Sequence, residues 1–129
     1  MSGLPGGVPS FSYSRDEANA LLPELTDLLL ALREASGTAA RHAEAMRSSG
    51  PGNGGSTHAQ AWADAQHVAD GKLAWLRSRG IQLKDLERGL VDFPSVREGR
   101  PILLCWLLGE PSVDFWHDPT TGFAGRRPL

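Results

Sequence analysis

PILLCWLLGEPSVDFWH, residues 101–117, sets two apolar runs on either side of Gly109-Glu110-Pro111-Ser112. Branched and aromatic residues flanking a turn that contains Gly and Pro read as a β-hairpin. With a symmetric turn, Leu108 faces Val113, Trp106 faces Phe115 and Leu104 faces His117, all six on one side of the sheet. Leu103, Cys105, Leu107, Asp114, Trp116 and Asp118 take the other side. The first side is apolar apart from His117 at its edge, so it is expected to pack on helices.

Working back from the hairpin, the hydrophobic period changes from helical to alternating at Gly80. Ile81 and Leu83 begin one short extended piece and Val91-Asp92-Phe93 another, with Pro94 limiting the pairing there. Upstream lie two helices. Ser14-Arg15-Asp16-Glu17 is a capping box, and Ala18, Leu21, Leu22, Leu25, Leu28, Leu29, Leu32 and Ala35 follow at helical spacing. This predicts a helix over Arg15–Ala35, kinked near Pro23, weakened at Ser36-Gly37 and extendable to Arg47. Thr57 with Gln60 resembles a second box. Trp62, Ala65, Ala69, Leu73 and Leu76 then form a stripe that stops at Arg79-Gly80. The predicted fold is α+β, an antiparallel helical hairpin packed on a small antiparallel β-sheet. A flexible tail over residues 1–10 precedes a single domain over residues 11–129, and residues 48–57 form a flexible interhelical loop rich in Gly, Pro and Ser.

The 129-residue chain carries 13 basic and 15 acidic residues, interspersed, for a formal charge of -2. That balance argues against a nucleic-acid partner held by bulk charge. One cysteine excludes an internal disulfide, and no apolar run approaches the roughly 20 residues of a membrane span. A soluble cytoplasmic protein is the expectation.

Five blocks, FSYSRDEANALLPEL (11–25), KDLERGLVDFP (84–94), CWLLGE (105–110), FWHD (115–118) and GFAGRRPL (122–129), match in order and spacing. The chain thereby resembles the bacterial domain-of-unknown-function family 2203. The resemblance directs attention to Glu17, Asn19, Asp85, Glu87, Arg88, Asp92, Cys105, Trp106, Glu110, Trp116, His117 and Arg126. It implies no particular activity.

His117, at the end of an aromatic strand, could meet Glu87, Asp92 or Glu110. Together they offer the imidazole and carboxylate mixture suited to Zn, Mn or non-haem Fe. The same residues also suit an edge histidine paired with one carboxylate. Cys105 within LLCWLL reads as a small buried hydrophobe with a raised pKa, and as a thiolate ligand to metal or haem if it lies on the outer face. Arg88, Arg97, Arg100, Arg126 and Arg127 are candidates for holding a small anionic ligand. Trp106 is a pocket or core ring. Asp64 and His67, three apart on the second helix, are half of a bundle metal site or a solvated face.

The function expected from these residues is binding of a metal ion or metallocofactor in a pocket of the C-terminal sheet and helices. Zn, Mn or Fe is preferred to haem, and enzymatic activity is one use of such a site. His117, Glu87, Asp92 and Glu110 would be ligands, and Arg126, Arg88 and Trp106 would bind substrate. The alternative is an interaction module whose helices form a homodimer or dock on a larger complex.

Overall fold

The computed structural model describes residues 11–49 and 55–129. The expected tail over residues 1–10 and the centre of the expected loop, 50–54, lie outside the described residues. The chain forms two compact units, residues 27–75 and the remainder. The architecture is α+β: a helical hairpin and a five-stranded antiparallel sheet, in strand order β1-β2-β3-β4-β5. Among the described residues no helix is long and apolar enough to cross a membrane.

Helix α1, Arg15–Ala20, starts at the capping box that the sequence announces. Ser14 Oγ accepts from the Glu17 amide at 3.0 Å and Glu17 Oε1 accepts from the Ser14 amide at 2.8 Å. The helix breaks at Leu21, whose amide donates to the Ala18 carbonyl, and α2 runs from Leu22 to Ser49. Pro23, which has no amide proton, stands just inside the new helix, where none is needed. Ser36-Gly37 does not end α2. Helix α3, Gly55–Ser78, begins two residues before Thr57, so the second expected cap is helical interior. At about 1.5 Å per residue, the 28 residues of α2 and the 24 of α3 give two long arms. Beyond Ser36-Gly37, α2 still meets α3 through His42 and His58.

The sheet consists of β1 (Gln82–Asp85), β2 (Leu90–Arg97), β3 (Arg100–Leu107), β4 (Phe115–His117) and β5 (Arg127–Pro128). Pro94 lies inside β2 and does not limit its pairing: it sits opposite Leu103. Its carbonyl points away from β3 and accepts from the Tyr13 amide at 2.8 Å, so its ring occupies a place where β3 needs no donor. Tyr13 also accepts from Ser95 Oγ at 2.5 Å and packs edge-on against Phe93. Its hydroxyl donates to the Arg79 carbonyl. At the other end, Arg15 Nε donates to the Val113 carbonyl and Asn19 Oδ1 accepts from the Val113 amide. The N-terminal segment is thus fastened at both ends of the sheet.

One difference from the sequence reading governs the site. β3 and β4 pair as Leu103 with His117, Leu104 with Trp116 and Cys105 with Phe115, one residue away from the symmetric register. The connection is not a symmetric turn. The Leu108 amide donates to Gly89 O and the Val113 amide to Asn19, so the pair expected to close the hairpin is bonded elsewhere. Glu110 shapes what remains: its side chain accepts from the Leu107 amide, and its carbonyl accepts from Trp106 Nε1 at 2.9 Å. A slip of one residue exchanges the faces of a strand. Phe115 and His117 therefore join Cys105, and Trp116 joins Trp106.

Candidate metal centre

Asp92 on β2 is the direct partner of Cys105 on β3, so their side chains share a face. His117, opposite Leu103, lies on that face from β4. The side chains of Asp92 and His117 reach towards each other over β3, bringing Nε2 within 3.0 Å of Oδ2. One ligand atom from each of Asp92, Cys105 and His117 lies within 4.8 Å of the others, and all three residues are buried. Burial of this polar group among Leu90, Leu103 and Phe115 follows from strand alternation: every second residue of three adjacent strands points here.

The hydrogen bonds define the proton inventory. His117 Nδ1 lies 2.7 Å from the Asp118 carbonyl, which can only accept, so this nitrogen carries a proton. Nε2 and Oδ2 at 3.0 Å must also have a proton between them, since two facing lone pairs would repel. Asp92 Oδ1 is buried and meets no partner at hydrogen-bonding geometry among the described residues, the facing Cys105 thiol being the donor that interacts with the Asp92 side chain. A polar atom left so costs about 1–3 kcal/mol. Burial, followed by the Asp92 charge, pushes the Cys105 thiol up to about 12, while Arg126 pulls the other way. Cys105 is therefore a thiol and no nucleophile.

The other expected site residues are distributed around this centre. Glu110 Oε2 pairs with Arg126 at 2.5 Å, and the Arg126 guanidinium lies 3.9 Å from the centroid of Phe115 and 4.7 Å from that of Phe123. Arg126 and Glu110 thus form a closed ion pair on the face that carries Asp92, Cys105 and His117. Arg88 is exposed, bound to Asp85 through both its amide and its guanidinium, contacts that hold the Asp85 carboxyl below its usual range. Glu87 stands exposed in the turn between β1 and β2, outside the Asp92–Cys105–His117 cluster. Trp106 is only 1% exposed and points to the opposite face, where Arg97 and Arg127 cover the Trp116 ring. Arg100 is exposed where β3 begins, at the β2–β3 turn. Asp64 and His67 are exposed on α3, with Asp64 accepting from Gln60.

The structure brings together two of the expected ligands, His117 and Asp92, and adds to them Cys105, which the sequence offers both as a buried hydrophobe and as a thiolate ligand. The sequence signal for that addition is the alternation itself: once Asp92 and Cys105 are cross-strand partners, a carboxylate and a thiol must face the same way.

The chain belongs to the domain-of-unknown-function family 2203: a model of that family, described as an uncharacterized conserved protein (DUF2203), matches residues 12–129. No curated protein and no solved structure matches the chain.

Proposed function

We propose that this member of family 2203 binds a divalent transition-metal ion through Asp92, Cys105 and His117. The observation that carries the reading is the convergence of three buried donor atoms of different chemistry within 4.8 Å, beside a carboxylate oxygen that meets no partner at hydrogen-bonding geometry among the described residues. Around a tetrahedral ion with bonds of roughly 2.0–2.3 Å, ligand atoms stand roughly 3.3–3.7 Å apart. The 3.0 Å between Nε2 and Oδ2 is close to that spacing. The Asp118 carbonyl fixes the ring and its tautomer, as outer hydrogen-bond partners do in metal sites. A thiolate among the donors favours Zn, or Fe, over Mn, and a thiol that must stay reduced suits the cytoplasm.

Three protein donors leave one corner of the ion for water or an anionic ligand, the arrangement of zinc sites that do chemistry. Arg126 supplies positive charge on the same face, released for such a ligand if Glu110 yields. Titration with Co²⁺ tests the binding step. A thiolate-to-cobalt charge-transfer band should saturate at one equivalent and be absent from Cys105→Ala and from His117→Ala protein. No such band in the folded natural chain, or an unchanged band in either variant, would sink the proposal.

A further inference from the structure

We infer that the helical hairpin carries a second, independent metal site formed by His42 of α2 and His58 of α3. Their Nδ1 atoms are 2.9 Å apart, with ring centroids at 5.2 Å and planes inclined at 42°. Both rings are half-buried. Two nitrogens so close share one proton: one ring donates through Nδ1 while the other accepts, and the pair cannot donate from both. A cation in the proton's place accepts both lone pairs at once, once the donating ring has moved its proton from Nδ1 to Nε2 so that both rings are neutral Nε2–H tautomers. Neutral imidazole is the commonest ligand for Ni, Cu and Zn.

What surrounds the pair defines the rest of the coordination. Glu44 is engaged by Arg47, and Arg41 by Thr38. Among the described residues no third His, Cys, Asp or Glu joins the two rings within 4.8 Å. The remaining positions are left to water or to the corresponding histidines of a second copy. The site thus takes a nitrogen-preferring ion with an incomplete protein shell, unlike the thiol-containing centre on the sheet.

The His42–His58 contact joins α2 and α3 where, among the described residues, no apolar side chain between Ala39 and Ala65 is buried. Clamping the two rings with a metal would fix the spacing of the helices there.

The test is calorimetric titration with Ni²⁺ of the full, untagged chain, of His42→Ala and His58→Ala, and of His67→Ala as a control on the exposed face of α3. Both pair variants should lose one equivalent, or bind it at least about tenfold more weakly, and His67→Ala should bind like the natural chain. Circular dichroism verifies that the helices persist, and His42→Gln with His58→Gln replaces any alanine variant that unfolds. Full binding in either pair variant overturns the inference, as does an equal loss in His67→Ala or the absence of nickel binding by the natural chain.

Discussion

Replacing His117 with leucine is expected to destabilise the metal-free fold by about 3–5 kcal/mol, the usual cost of stripping a buried charge of its partner. The substitution leaves Asp92 at 2% exposure with Oδ2 abandoned and Oδ1 already meeting no partner at hydrogen-bonding geometry among the described residues. It also removes the donor to the Asp118 carbonyl. Replacing both residues, Asp92→Val with His117→Leu, should cost less than the single change, because an apolar pair leaves no orphaned charge. Urea unfolding at constant slope separates these outcomes. A loss below about 1 kcal/mol in the single variant would mean that the pair is not held as described.

The second large effect is on the proton balance of metal binding. Filling the centre displaces the proton between Nε2 and Oδ2 and the proton of the Cys105 thiol, which burial holds up to about 12. Two protons should therefore leave per zinc bound, and the affinity should rise roughly 100-fold for each pH unit over the range in which both are present. The sign is fixed: acid weakens binding, and alkali strengthens it until the thiol ionises by itself. Calorimetry of zinc binding to His42→Ala/His58→Ala protein, in buffers of differing ionisation enthalpy, counts the protons of this centre alone. With Cys105→Ala added, any residual binding should release at most one. Release of none by the protein that retains Cys105 would place the zinc elsewhere.

Local signals are the most legible in the sequence. Ser14 and Glu17 are three residues apart and satisfy each other, so the start of α1 needs no knowledge of the rest of the chain. Pro23 likewise announces the break after α1. The register of β3 and β4 is not legible, because it is decided by distant groups: Asn19, some ninety residues before the Val113 amide it accepts from, and Gly89, which takes the Leu108 amide. The continuous pairing of β2 through Pro94 has the same origin, since the Tyr13 amide meets the Pro94 carbonyl.

The side chains grouped around Asp92 follow the same division between local and distant signals. His117 and Asp92 stand out as polar residues in apolar strands, a property visible in one dimension. With the symmetric register, however, Cys105 and His117 fall on opposite faces and the thiol cannot be grouped with the imidazole. Glu87 and Glu110 are plausible by charge alone; Glu110 is drawn to Arg126 and the Leu107 amide, and Glu87 stands on an exposed turn. Trp106 turns to the opposite face by the same alternation that brings Cys105 to this one.

Zinc-edge X-ray absorption addresses the centre most directly, on His42→Ala/His58→Ala protein loaded with one equivalent so that the sheet site alone is populated. The expected shell has one sulfur at roughly 2.3 Å and nitrogen and oxygen neighbours at roughly 2.0–2.2 Å, the sulfur disappearing when Cys105 is replaced by alanine. A shell of nitrogen and oxygen alone in the protein that retains Cys105 would contradict it.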